Sequence, residues 1–354
     1  MSAKVLQTGS KESIPSGTME TRKVQITGRS TYVISLPKTW VKKVKIKNGD
    51  SIVLIPRSDG TLLINPKLSE KGNRISEHLS TTIEIDSEDQ ERFIREFIGV
   101  YLAGYNLIEM NFKTHIPKPI RQEIRKLSHS VIGPEIIDET QTSVTVKDLL
   151  DSSDFSMVKG VKRMYIITRG MFQDAITAFQ QLDHELADDV ISRDNDVDKL
   201  YWLISKQFNL ILKDVFFADK MGVKPQEALG YLLVARSIER IADHASKLSH
   251  NLRKISHESS MFSTFTEISK EVLDILDSAI NAFYRNEFEV AHGVLNKSKT
   301  LGYKIEQLNH DIASLETDGS TMISLAYIVD SLDRTHHYAE DIAETAINHY
   351  FITG

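Results

Sequence analysis

The short stretch "RSIERIADHA" (residues 236–245) places two carboxylates, Glu239 and Asp243, four residues apart within an apolar helical pattern. On an α-helix this spacing puts the two side chains one turn apart on the same face, where like charges repel each other. The two negative charges could be neutralised in either of two ways. Arg236 and Arg240 could form local ion pairs on a solvated flank, each worth roughly a few tenths of a kcal/mol. Alternatively, the helix could hold a cation.

A second pair of acids favours the cation. The stretch "RDNDVDKLYWLI" supplies Asp194 and Asp198, again four residues apart, in the middle of a helical segment. Acids in the middle of a helix neither cap it nor gain from its dipole, and they cost some helix propensity. Two antiparallel helices that each offer such a pair would form an oxygen-rich site for a hard metal ion. A solvated acidic face is the alternative.

The residue types that are missing from the chain exclude several other chemistries. The 354 residues include no cysteine, so any metal must be held by oxygen and imidazole. Ferritin-like di-iron oxidases need two Glu-x-x-His motifs, and the sequence offers only one, at residues 289–292. Neither a nucleophile–base motif nor a phosphate-binding glycine loop is recognisable. We therefore predict that the protein is not an enzyme.

The hydropathy of the chain predicts a cytoplasmic location. Its longest largely apolar runs fall well short of the roughly 20 residues that span a bilayer, so it is not expected to be membrane-embedded. The first residues also lack the basic, then apolar, pattern of a secretory signal.

The carboxylate pairs belong to a region, residues 154–354, in which apolar residues recur at intervals of three and four. This pattern predicts an all-α helical bundle. The region also repeats itself, because "DAITAF" from Asp174 recurs as "SAINAF" from Ser278. We predict a duplicated three-helix unit, with repeats 154–256 and 257–354, that forms a six-helix bundle with pseudo-twofold symmetry.

The duplicated unit resembles the PhoU family of phosphate-uptake regulators. The resemblance rests on D-x-x-x-D in the second helix and R-x-I-E-R-I-A-D-H-A in the third, and it covers about residues 154–354. In that family the E/D-x-x-x-D motif binds transition-metal clusters on the bundle surface. The resemblance implies metal ions of the iron or zinc class as cofactors, and the ATPase subunit of a phosphate transporter as a partner. The implied metal ligands are Asp194, Asp198, Glu239 and Asp243.

The second repeat departs from this motif. The counterparts of Asp194, Asp198, Glu239 and Asp243 are, in order, Ser298, Gly302, Asp333 and His337. Asp333 and His337 remain weaker candidate ligands, but the partner helix offers no carboxylate at positions 298 and 302. We therefore expect "THHYAED" to be a polar flank of the last helix rather than part of a second cluster.

Residues 19–67 differ from the rest in both charge and pattern. Between Thr18 and Lys67 there are ten basic and only three acidic residues, although the whole chain has a net charge of -6. Short β-branched runs such as "TYVISLP" and "DSIVLIP" alternate with turn signals and one short helical pattern. This combination predicts a β-rich module that binds a polyanion. A basic face that serves only solubility is the alternative.

This segment resembles the SpoVT/AbrB-type DNA-binding domain, on the stretches "GRSTYVISLPKTW" and "GDSIVL". Such domains form dimeric, interlocked β-barrels with a swapped hairpin, and they bind DNA through basic residues on exposed hairpins and loops. The resemblance implies a homodimer with double-stranded DNA as its partner, and the small apolar content independently predicts pairing with a second copy. The candidate DNA contacts are Arg22, Lys23, Arg29, Lys38, Lys42 and Lys43.

Two further segments complete the predicted organisation. Residues 1–18 are rich in Ser, Gly and Lys without periodicity, which predicts a disordered tail. Residues 68–153 alternate strand and helix patterns, which predicts an α+β linker domain without a recognisable motif. An AbrB-like domain joined to a PhoU-like body is similar to the arrangement of archaeal phosphate-uptake regulators.

The leading hypothesis is a DNA-binding transcriptional regulator of phosphate uptake and phosphate homeostasis. Its metal-binding helical domain would sense the state of the cell or dock a partner protein. The alternative is an adaptor that binds and negatively regulates the phosphate ABC transporter directly, and uses the basic domain only for dimerisation.

Overall fold

The computed structural model describes residues 19–56, 60–66, 79–85, 89–255 and 261–354. The predicted tail, residues 1–18, lies outside these residues. Contacts between backbone positions divide the chain into two compact units, Met1–Thr81 and Thr82–Gly354. The domain boundaries expected near residues 68 and 154 stay predictions.

The first unit contains two β-hairpins and a short helix, as the sequence pattern predicts. Its elements are β1 (Gln25–Thr27), β2 (Thr31–Val33), α1 (Lys38–Val44), β3 (Val53–Pro56) and β4 (Leu62–Asn65). Strand β1 pairs antiparallel with β2, and β3 with β4. Gly28 makes the first hairpin turn with φ +71°, a backbone region that favours glycine.

The apolar residues of these hairpins lie at the surface of the single chain. Ile26 and Tyr32 face each other across β1 and β2, and they are 64% and 74% exposed. Among the described residues from 19 to 66, no large apolar side chain is buried. A single copy of this unit therefore leaves its apolar strand faces in water, which is energetically unfavourable.

The middle of the chain forms a four-stranded sheet with two helices, which confirms the predicted α+β region. Its elements are β5 (Ser80–Ile85), α2 (Gln90–Leu102), β6 (Leu107–Phe112), α3 (Lys118–His129), β7 (Pro134–Glu139) and β8 (Ser143–Asp148). The strand order is β5-β6-β8-β7. Alternate strand residues such as Ile108 and Val146 share one buried core with Phe97 of α2 and Ile124 of α3. The helices therefore cover one face of the sheet.

From residue 154 onward the described chain is entirely helical between its turns, as predicted. The helices are α4 (Met157–Gln181), α5 (His184–Lys213), α6 (Val215–Met221), α7 (Pro225–Leu252), α8 (Phe262–Arg285), α9 (Phe288–Ala313) and α10 (Gly319–Thr353). Helix α7 packs against α4, α5 and α10, while α10 packs against α7, α8 and α9. The last helix of each repeat therefore lies at the centre of one common core. Within the described helices, none has the length and apolar character needed to cross a membrane.

The helix ends support the duplication. Helices α4 and α8 both stop at a residue in the left-handed conformation, Leu182 and Asn286, with φ of 53° and 56°. These two residues are separated by the same interval as the repeated "DAITAF" and "SAINAF" stretches. The short helix α6 lies between α5 and α7 in the first repeat, whereas α9 of the second repeat is followed directly by α10.

A buried ion pair joins helix α5 to the sheet. The Lys206 ammonium donates to the Asp148 carboxylate, and both side chains are almost completely buried. The same ammonium lies 4.6 Å from the centroid of the Tyr101 ring. Asn209 also donates to the Leu102 carbonyl at 3.0 Å. These contacts hold the helix that bears Asp194 and Asp198 against β8 and α2 of the α+β region.

Candidate metal centre and nucleic-acid interface

The packing of α5 against α7 brings the predicted carboxylates together. One oxygen atom each from Asp198, Glu239 and Asp243 lies within 4.8 Å of the others. Asp194, one turn earlier on α5, lies close enough for Asp198 and Asp243 to repel its charge. We call these four residues the acidic cluster. The structure thus places all four predicted ligands at one site, and their role as metal ligands stays a prediction.

The neighbouring arginines offset the negative charge of the acidic cluster only in part. Arg236 and Arg240 lower the pKa of Glu239, but burial and the two neighbouring aspartates raise it more strongly. Arg240 also hydrogen-bonds to the Tyr338 side chain of α10. Arg193, the other arginine close by on α5, pairs with acids outside the cluster. Local ion pairs therefore do not account for the cluster.

Burial raises the pKa of every carboxyl in the acidic cluster, and repulsion by neighbouring acids adds to it at Asp194, Asp198 and Glu239. Burial is the larger cause at Asp194, and the charges of Asp198 and Asp243 add to it, so that its pKa rises to about 7. Burial and the charge of Asp243 raise the pKa of Asp198 to about 6. Burial and the charges of Asp243 and Asp198 raise the pKa of Glu239 to about 7. Burial also raises the pKa of Asp243. A cation would relieve the repulsion that these shifts record.

The donor set fits a metal ion. The Oδ1 atom of Asp194 is buried and accepts no hydrogen bond within the described part of the chain. A buried acceptor without a partner is rare and costly in proteins, so such an atom is a candidate ligand. Four carboxylates form an all-oxygen site, which suits hard cations such as Mn²⁺, Mg²⁺ or Ca²⁺. Iron or zinc as the resident metal stays a prediction.

The raised pKa values predict how the stability of the metal-free protein depends on pH. A carboxyl whose pKa is higher in the folded than in the unfolded state contributes stability at low pH, below its unfolded pKa of about 4. That contribution is lost as the pH rises towards the folded values of about 6 to 7. Chelated protein should therefore lose thermal stability from this cluster between about pH 4 and pH 7.

Thermal melts across this pH range test the prediction. The variant with Asp194→Asn, Asp198→Asn, Glu239→Gln and Asp243→Asn should show a flatter profile than the wild type. Asp196→Asn is the matched control, because Asp196 lies on the same helix but is exposed. Identical pH profiles for the wild type and the fourfold variant would contradict the prediction that the raised pKa values of the acidic cluster make the stability depend on pH.

In the second repeat the structure groups three possible ligands. Donor atoms of Asp333, His336 and His337 lie within 4.8 Å of one another. Asp333 and His337 are the weaker candidates from the sequence, whereas sequence reasoning missed His336. It occupies the position of Ala242, inside the apolar seam of the first repeat. A histidine in an otherwise apolar seam was the available signal.

The basic candidates of the first unit are accessible. Arg22 and Lys23 lie just before β1 rather than on it, and Arg29 is in the turn between β1 and β2. Lys38 begins α1, and Lys42 and Lys43 are in its last turn. All are exposed except Lys43, which is half-buried. Arg22 also forms an ion pair with Glu20. Exposed cations of this kind can contact phosphate groups.

Two family models match separate parts of the chain. Residues 161–252 match the PhoU domain, which places the whole acidic cluster inside the match. Residues 25–72 match "Antidote-toxin recognition MazE, bacterial antitoxin". The chain therefore has one region similar to the PhoU domain and an N-terminal region similar to the MazE antitoxin, in the order that the sequence motifs predict.

Similar proteins carry related names. A "Phosphate-specific transport system accessory protein PhoU homolog 1" from Thermotoga maritima is 28% identical over 194 residues, which are 51% of this chain and 77% of that protein. A "Phosphate-specific transport system accessory protein PhoU homolog" from Caulobacter vibrioides is 24% identical over 202 residues, which are 55% of this chain and 85% of that protein.

The helical fold also has a solved counterpart. The crystal structure of PhoU from Pseudomonas aeruginosa superimposes with a TM-score of 0.50 at 18% identity, and covers 56% of this chain and 96% of that one. At this identity the likeness concerns the fold alone.

Proposed function

We propose that this chain is a DNA-binding transcriptional regulator of phosphate uptake and phosphate homeostasis. The observation that carries the proposal is the joining, in one chain, of a basic MazE-like segment and a PhoU domain. The proposed role is regulatory rather than enzymatic, and the proposed location is the cytoplasm, where DNA and the inner side of a transporter are both accessible.

The first unit acts on DNA as a homodimer in this proposal. Support comes from its exposed basic residues and from the exposed apolar faces around Ile26 and Tyr32. A second copy would cover these faces, and burial of apolar surface contributes about 25 cal/mol for each Å² removed from water. Pairing would also double the number of basic residues that meet a duplex.

In this proposal the helical unit senses the state of the cell or docks a partner protein, and a metal ion is bound in the acidic cluster. Asp194, Asp198, Glu239 and Asp243 would hold the ion. When bound, the metal would supply positive charge that neutralises the buried carboxylates. The metal-free and metal-bound proteins would then differ in the stability of the α5–α7 pair, and α5 is fastened to the sheet by Lys206.

The proposed protein partner is the ATPase subunit of a phosphate transporter. The names of the relatives from Thermotoga and Caulobacter, as transport-system accessory proteins, support this partner. They also favour the second candidate function, an adaptor that binds the transporter and negatively regulates it. In that case the first unit would serve only for dimerisation.

An experiment in cells separates the two candidate functions. The chromosomal copy is replaced by the variant Arg22→Ala, Lys23→Ala and Arg29→Ala, and transcripts of the phosphate-transport genes are measured together with phosphate uptake. A DNA-binding regulator should show altered transcript levels, because its contact with promoter DNA is weakened. Unchanged transcripts, with uptake still controlled, would favour the adaptor instead.

A matched control keeps this experiment specific. The variant Lys113→Ala, Lys162→Ala and Arg163→Ala removes the same number of positive charges from exposed positions outside the first unit. It should leave the transcripts at wild-type levels.

A further inference from the structure

A cavity of about 240 Å³ lies between α4 and α8, the first helices of the two repeats. The two helices run antiparallel here. Near the end of α4, Phe179 packs against Phe262 at the start of α8, whereas Arg169 in the middle of α4 bonds to Asp277 near the end of α8. Pockets for drug-sized ligands measure roughly 300 to 1,000 Å³, so this cavity suits a smaller molecule.

The cavity lies where the two repeats differ in sequence. The interval that relates "DAITAF" to "SAINAF" pairs Gln180 with Tyr284, and Ser269 with Tyr165. The Tyr284 ring packs against the core, and its hydroxyl donates to the Val158 carbonyl of α4 at 3.3 Å. At the equivalent places around the cavity, an exposed amide and a small hydroxyl replace the two phenol rings. The smaller side chains leave space between α4 and α8.

The rim of the cavity carries one positive and one negative side chain without partners. Lys270 and Asp274 are exposed and lie one turn apart on α8. Within the described part of the chain, neither forms an ion pair. On the α4 side, Arg169 donates from Nε to Asp277 at 2.9 Å and from Nη1 to Gln173 at 3.0 Å. These contacts orient the guanidinium and leave Nη2 for a ligand.

The inner wall of the cavity combines apolar surface with hydroxyl oxygens. Ile176 of α4 and Leu273 of α8 are almost completely buried and line the wall. Thr177 and Thr266 lie beside them, and each hydroxyl donates to a backbone carbonyl of its own helix. A hydroxyl whose proton is engaged in this way can only accept a further hydrogen bond. The wall therefore offers an apolar contact and two acceptors.

We propose that this cavity binds a free amino acid with an aliphatic side chain. The carboxylate of the ligand meets Lys270 and Nη2 of Arg169, and its ammonium group meets Asp274 and the two threonine oxygens. The aliphatic side chain lies against Ile176 and Leu273. A zwitterion matches both charges of the rim, whereas a simple anion or amine leaves a charge of its own sign unmatched. This site depends neither on metal nor on DNA.

Binding of L-leucine to the full chain tests the ligand class. Saturation-transfer NMR gives the Kd of leucine and of two analogues, 4-methylpentanoate, which lacks the ammonium group, and 3-methylbutylamine, which lacks the carboxylate. Leucine should bind at least about 10-fold more tightly than either analogue, because each analogue loses a charge-assisted contact. Equal affinities for leucine and 4-methylpentanoate would indicate a site for anions alone and would overturn the proposal.

Two variants of the rim separate the roles of the two charges. Lys270→Gln should weaken leucine binding by about 10-fold without weakening that of 3-methylbutylamine. Asp274→Asn should weaken leucine binding to a similar extent without weakening that of 4-methylpentanoate. Lys299→Gln and Glu289→Gln, at exposed positions on α9, are the matched controls and should keep the wild-type affinity.

A third variant fills the cavity. Gln180→Tyr introduces the side chain that the second repeat has at the equivalent position, and it should abolish leucine binding. Gln180 is exposed, so the helices should stay intact, which circular dichroism verifies. Two results would each contradict the site: no saturable binding of leucine or valine to the wild type, or unchanged leucine affinity in all three cavity variants.

Discussion

Alanine at Arg22, Lys23 and Arg29 is expected to weaken duplex DNA binding by more than about 100-fold near physiological salt. Each phosphate contact that is lost removes about 0.9 from the slope of log affinity against log salt concentration. A dimer would lose up to six such contacts, so the slope should become shallower by about five. The reason is that bound phosphates release counterions, and fewer contacts release fewer of them.

Fluorescence anisotropy of a labelled duplex, over a range of salt concentrations, gives both the affinity and the slope. The control is again Lys113→Ala, Lys162→Ala and Arg163→Ala, which lowers the net charge equally but should keep the wild-type slope. Light scattering of each free protein verifies that the mass is that of a dimer, so that a broken dimer is not mistaken for a lost contact. A triple variant with wild-type affinity and slope would exclude these residues as the DNA-contacting surface.

In the variant Glu239→Gln with Asp243→Asn, we expect metal binding at the acidic cluster, and the rise in melting temperature that it causes, to be lost. A ligand that binds only the folded state, at 100 times its Kd, adds about 2.7 kcal/mol to the free energy of unfolding. For a helical region of this size, that corresponds to roughly 5 to 11 °C in melting temperature. The double variant loses the binding site and also part of the repulsion, so the metal-free protein should melt no lower than the wild type.

Mn²⁺ is the suitable metal for this measurement, because an all-oxygen site prefers a hard cation. Melts after chelation and after metal is restored, together with metal analysis, give the shift and the stoichiometry. Asp196→Asn with Glu306→Gln, two exposed acids on α5 and α9, is the control and should keep the wild-type shift. Equal metal content and equal shifts in wild type and double variant would mean that the cluster is a solvated acidic flank.

The helical elements and the positions of the candidate ligands along them could be predicted from sequence alone. Apolar residues at intervals of three and four determine which side of a helix is buried, so the all-α region and its duplication follow directly. Glu239 and Asp243 share a face because the helix turns by about 100° per residue. The local excess of basic residues before Lys67 likewise needs no structure, because charge can be counted along the chain.

Only the tertiary structure determines which side chains of two neighbouring helices lie opposite each other. A helical pattern gives positions on one helix, but not the axial register between two helices, and that register places Asp198 beside Glu239 and Asp243. The raised pKa of these acids comes from burial by neighbouring helices, which no local stretch contains.

His336 shows the same limit most clearly. Its sequence position is that of an apolar seam residue, and a buried histidine can be an inert part of the core. Its Nε2 carries the proton because it lies 3.1 Å from the carbonyl oxygen of Ser298, on another helix and 38 residues away. Within the residues that the structure describes, its Nδ1 then has no hydrogen-bond partner. Ligand geometry depends on contacts between residues that are distant in sequence, and periodicity along the chain does not encode those distances.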